Sequence, residues 1–165
     1  MTTWLLWERI RLGALGLFSR HPESSVQGVN LVDLRADRLF DHDQIRQVLV
    51  EALEQVKIAR GGFPELVNDH LRHVVAIDTE PDSASSFAEA FYTTFSARER
   101  RQPFALACRL VWAATFIRLQ RNQRFWKRSQ NRRAARIAAK DAQITFARQF
   151  PDREDWVTIL ERQEL

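Results

Sequence analysis

Cysteine occurs once, at Cys108, so no internal disulfide can form, and no CxxC or Cys/His spacing supports a zinc site. A reducing, cytoplasmic setting is expected on that ground. Long hydrophobic runs are also missing. In MTTWLLWERIRLGALGLF the charges of Glu8, Arg9 and Arg11 interrupt the apolar residues well short of the ~18 that a membrane span needs. No basic segment precedes a continuous apolar core, as a signal peptide requires. Neither a transmembrane segment nor a leader is expected. Glycine and proline are absent from residues 104–150, so nothing interrupts a helix there. Acidic residues are absent from residues 100–140, while arginine or lysine stands at 100, 101, 109, 118, 121, 124, 127, 128, 132, 133, 136 and 140.

What is present describes one ordinary globular domain, residues 1–165. A chain of 165 residues buries roughly 70% of its unfolded surface without a staple. With 45% hydrophobic and 28% charged residues it lacks the composition of a disordered chain, and its formal net charge of +4 favours acidic partners. Trp4, Leu5, Trp7, Ile10 and Leu12 fit one face of a short helix, which either docks on the domain or meets a membrane surface or partner.

The chain then alternates. ALGLF reads as a buried strand entering the loop of Ser19, Arg20, His21 and Pro22, and GVNLVDL as a second strand of hairpin character. Asp41 or Asp43 caps a helix carrying Ile45, Val48, Leu49, Ala52, Leu53 and Val56 at helical spacing. VKIA reads as a short strand, and Arg60-Gly61-Gly62 as a break. A small helix over residues 63–71 leads to a strand over residues 73–77. A turn containing Asp82 starts a helix that presents Phe87, Phe91 and Tyr92 to the sheet. Residues 104–150 form one long helix or two abutting ones, whose positions Phe104, Ala107, Cys108, Val111, Trp112, Thr115, Phe116 and Leu119 face the core. DWVTIL reads as a closing strand. Such alternation predicts an α/β sandwich with a small, mainly parallel sheet flanked by helices, plus a long basic C-terminal helix, residues 120–149 being a basic helical insertion.

The strand HVVAI and the residues Asp82, Ala84, Phe87, Ala90, Phe91 and Tyr92 after it resemble the C-terminal part of caspase-like domains of the CHAT type. Gln102-Pro103-Phe104-Ala105-Leu106-Ala107 is similar to that family's next helix, DWVTIL to its closing strand, and LGLFSRHPESSVQGVNLVDL to its strand, histidine loop and hairpin. The resemblance implies a caspase-like fold with a cysteine-protease ancestry. It places His21 as the histidine, followed here by Pro22, and the cysteine just after VKIA, where Arg60 and Gly61 stand instead. Arginine stays protonated and is no nucleophile. Cys108 lies at core spacing, where a thiol is inert. The resemblance therefore implies a pseudoenzyme, with His21 a degenerate catalytic candidate. A chain forming half of a split protease, its cysteine supplied by another polypeptide, is the enzymatic alternative.

Other constellations have plainer readings. Asp41, His42, Asp43, His70 and His73 include metal-ligand types, but a helix cap explains the aspartates; no metal and no cofactor is expected. Arg60-Gly61-Gly62 lacks a phosphate-loop spacing and reads as a turn rather than an anion cradle. The arginine segment is the main candidate binding surface. Arg121, Arg124, Arg128 and Arg132 recur at three and four, with Phe125 and Trp126 interleaved, as in surfaces that combine phosphate contacts with base stacking. Arg118, Lys127, Arg133 and Arg136 extend it. A protein partner, a nucleic acid and plain solvation all remain open for it. The function expected is a non-enzymatic interaction or regulatory module, with nucleic-acid binding through residues 118–140 as the alternative; the sequence leaves the oligomeric state open.

Overall fold

The computed structural model describes residues 24–35, 41–77, 86–87, 90–95, 102–121 and 128–163. The N-terminal apolar segment, ALGLF, the His21 loop and the Asp82 turn lie outside them. A tight turn opens the described fold. Gln27 and Gly28 both have positive φ, 51° and 86°, the backbone of a type I′ hairpin whose twist matches its strands and which glycine adopts without strain. Val26 pairs with Val29 across it. The hairpin joins β1 (Ser24–Val26) to β2 (Val29–Asp33). Next comes α1 (His42–Ile58), where the Asp41 side chain accepts the Gln44 backbone N–H at 2.7 Å. Its apolar positions from Ile45 to Val56 are buried at the spacing the sequence predicts, each isoleucine, leucine or valine side chain contributing about 1.5–3 kcal/mol of transfer free energy before ordering costs.

Gly61 and Gly62 turn the chain with φ of 84° and 79°, and Gly62 caps α2 (Phe63–His70). After β3 (His73–Ala76), β4 (Ser86–Phe87) and β5 (Ala90–Thr93), the chain enters α3 (Pro103–Arg121) and α4 (Arg128–Ala147). A 3-10 turn at Pro151–Arg153 leads into α5 (Glu154–Arg162).

The five strands lie in the order β1-β2-β3-β5-β4. β2, β3 and β5 are parallel, and β1 and β4 are antiparallel edges. The fold is α/β, but the sheet is mixed rather than mainly parallel, because each edge strand, β1 and β4, pairs antiparallel with the strand that follows it in the chain. Register places Leu31, Val74 and Phe91 in one row. All three are buried in the main core beneath the helices.

Helix α3 packs against α1, α2 and α4, which explains why Leu106, Leu110, Ala113, Ala114 and Ile117 are buried as well as the face read from spacing. Its Thr115 hydroxyl donates to the Val111 carbonyl at 2.8 Å, so this buried polar group is satisfied. The residues without glycine or proline form two helices, and these run antiparallel. The start of α3 meets the end of α4 through Phe104, whose ring lies 5.7 Å from Phe146 and 5.0 Å from Phe150. The end of α3 meets the start of α4 through Phe116, packed with Ala135 and Ala139. Aromatic side chains thus bolt one end of this hairpin, adding Phe63 and Trp156, while alanines let the helices approach at the other.

Three elements differ from expectation. VKIA is the last turn of α1 and not a strand: Val56 is 2% exposed and Ile58 64%, whereas a strand would put both on one face. Phe87, Ala90, Phe91 and Tyr92 belong to the β4–β5 hairpin and not to a helix. Phe87 pairs with Ala90, and burial of Phe91 and Thr93 follows a period of two, suiting the aromatic and β-branched run FYTTF. DWVTIL is helical: Trp156 and Leu160, four apart, are buried, while Pro151 and the acids Glu154 and Asp155 mark a helix start.

Candidate functional site

Two arms carry the arginine segment. Arg118 is exposed in the last turn of α3 and Arg121 closes that helix. Arg128 opens α4, on which Arg132 and Arg133 are exposed and Arg136 partly so. The four-residue stripe from Arg121 to Arg132 is therefore split between antiparallel helices rather than laid along one. Arg124, Phe125, Trp126 and Lys127 lie outside the described residues. Because Phe116 packs against Ala135 and Ala139, Arg118 and Arg121 share one end of the hairpin with Arg132, Arg133 and Arg136.

Lys140, Arg148 and Arg153, elsewhere on the C-terminal half, are committed to the fold. Lys140 Nζ donates to the backbone carbonyls of Glu161 and Gln163, closing the end of α5. Arg148 pairs with Glu161 at 2.8 Å. Arg153 pairs with Asp152 at 3.4 Å and stacks over Phe104. In contrast, Arg118, Arg132, Arg133 and Arg136 make no ion pair or hydrogen bond among the described residues. Residues 100–140 hold twelve cations and no acid, which leaves thirteen cations against twenty-one acids in the remainder of the chain. The positive charge is local.

The remaining sequence candidates do not assemble into a reactive centre among the described residues. His21 lies outside them. Arg60, at the expected place of a cysteine, follows a helix end rather than a strand end. Its backbone N–H donates to Gln149 Oε1 at 2.7 Å and its carbonyl accepts from Gln149 Nε2 at 3.0 Å, so the turn is clasped and that N–H is engaged. Cys108 is 1% exposed, and burial pushes its thiol up to about 12. No group of three or more His, Cys, Asp or Glu is placed to hold a metal among the described residues. Asp41 caps α1, and with Asp43, Gln44, Gln47, Val48 and Glu51 it lines a shallow groove of about 480 Å³. No described helix is long and apolar enough to cross a membrane.

Sequence reading missed one partly buried polar pair. Arg35 Nε and Nη2 each donate to Asp33 at 2.9 Å, one bond per carboxylate oxygen, and the Arg35 backbone N–H adds a third bond at 3.2 Å. The Arg35 side chain is 5% exposed and that of Asp33 17%. Burial raises the Asp33 carboxyl, but the hydrogen bonds and charge of Arg35, with the charge of His42, outweigh it and leave the group below its usual range. The pair sits at the carboxyl end of β2, the edge where open α/β sheets place ligands. Its fork, however, is satisfied internally. Asp33 and Arg35 are two apart on an extended segment, which was the available signal.

No protein-family model, curated protein or solved structure matches this chain.

Proposed function

We propose that the protein is a non-enzymatic binding module that docks a polyanionic partner on the arginine end of the α3–α4 hairpin. One observation carries this reading: two helices bring Arg118, Arg132, Arg133 and Arg136 to the same end with no described counter-charge, while Lys140, Arg148 and Arg153 are paired within the fold. Like charges held together are unfavourable without an anion, and an external polyanion supplies it. The protonated, enclosed Cys108 thiol supports a role without thiol chemistry. The caspase-like resemblance supplies no part of this reading, because VKIA is helical, Phe87 and Ala90 to Tyr92 lie in strands, and DWVTIL is helical. A cytoplasmic setting remains the expectation for a chain with one cysteine.

Heparin retention tests the docking site. The triple variant R132E/R133E/R136E is expected to elute at much lower salt than a variant with the same charge change elsewhere, R46E/K57E/R72E. Equal losses would mean that net charge, not the hairpin, governs retention, and would remove the proposal.

A further inference from the structure

We infer that the polyanion is a nucleic acid, held through its phosphates by the two arms of the hairpin; this rests on the docking reading above. Protein interfaces are built around an apolar centre depleted of charge, with the polar groups at the rim. The described residues of the arginine end have the opposite make-up. Among the described residues Ile137, 40% exposed, is its one exposed large apolar side chain, and it stands between Arg136 on one side and Arg132 and Arg133 a turn away. Nucleic-acid interfaces are more polar and far more positive than protein ones, which is the character found here.

The choice of cation points the same way. Lys127 and Lys140 are the two lysines in residues 100–140, and Lys140 is taken by the end of α5. The exposed cations of the described face are all arginines. A guanidinium presents a planar fork that matches phosphate oxygens in pairs, whereas ammonium acts as a point charge. Arg132 and Arg136 are one turn apart, about 6 Å along the α4 axis, and the α3 arginines stand across a helix spacing of roughly 8–10 Å. A nucleic-acid strand carries one charge per ~3.4 Å and so meets such a face along its length. Acidic side chains on a folded protein rarely form an equally dense row.

Fluorescence anisotropy on the full chain tests this, with a short single-stranded RNA, a DNA duplex and a poly-glutamate peptide of matched charge as probes, between about 50 and 200 mM salt. At least one oligonucleotide is expected to bind at least about tenfold more tightly than poly-glutamate, a gap of about 1.4 kcal/mol. The slope of log affinity against log salt should flatten by about 0.7–0.9 for each of R118Q, R132Q and R133Q, the contribution of one lost phosphate contact. Poly-glutamate binding as well as the oligonucleotides would overturn the nucleic-acid inference and leave the docking site standing. Oligonucleotide binding whose slope ignores these substitutions would place the contact elsewhere and overturn it too. Failure of every probe to bind would remove both.

Discussion

At the scale of single residues, the Asp33–Arg35 pair holds two charges partly out of water at the carboxyl end of β2. Taking two charges out of water costs several kcal/mol per ion, and the double fork with its backbone bond returns that cost only while both partners are present. Arg35→Met leaves a partly buried carboxylate alone and is expected to cost about 1–3 kcal/mol in urea denaturation. Asp33→Leu combined with Arg35→Met, which removes both charges, should recover much of that loss. A cost below about 1 kcal/mol for the single change would show a solvated pair. The carboxyl is held below the ordinary 3.8, so the folded state binds its proton less readily than the unfolded chain. Its contribution is present above that value and is lost as pH falls through the lower folded one. Thermal midpoints of the wild type should therefore fall more steeply on acidification below about pH 4 than those of Asp33→Asn. The pair was hard to read beforehand because VDLR looks like a strand end, and only pairing with β3 shows that its charges are enclosed.

At the scale of elements, α4 breaks a local rule. A helix start favours acidic side chains, and its first turn holds none. Arg132 and Arg136 are four apart, which places like charges on one face. Stability alone does not select this arrangement, and such conflicts tend to mark functional surfaces. Arg132→Glu puts a negative charge nearer the positive helix end and four residues before Arg136, the favourable order for a helical pair. It is expected to raise stability by roughly 0.5–1 kcal/mol, a thermal midpoint about 1–4 °C higher by calorimetry, while weakening heparin retention. An unchanged or lower midpoint would mean that the arginine is already neutralised in the free protein. Elements differ in how far the sequence reveals them. The body of helix α1 was legible because its spacing from Ile45 to Val56 agrees with a cap at Asp41 or Asp43, of which Asp41 is the one used, but its last turn at VKIA was not. The β4–β5 hairpin was not, since Phe87, Ala90 and Phe91 also satisfy helical spacing, and partner strand β3 decides between them. The arginines were legible as charge. Their meeting at one end of a hairpin was not, because residues 122–127 include neither glycine nor proline.

At the scale of the whole molecule, the net charge of +4 conceals an uneven distribution along the chain: twelve cations without an acid in residues 100–140, and thirteen cations against twenty-one acids in the remainder. The groove along α1 carries Asp41, Asp43 and Glu51, so one copy offers both a cationic end and an acidic side. A contact between unlike patches is heterologous, and unless its rotation closes a ring it continues into open chains. Such contacts are also the ones that salt controls, since the screening length is about 30 Å at 0.01 M ionic strength and about 8 Å at 0.15 M. Light scattering at low ionic strength is therefore expected to rise with protein concentration, and to return to the monomer value at about 0.15 M. The triple variant R132E/R133E/R136E should remain monomeric in both, and so should the wild type once a polyanion occupies the hairpin. Association that persists at high salt would point instead to apolar contact, for which Ile58 and Ile159 are the exposed candidates. Association that survives the triple reversal would remove the arginine end as its source.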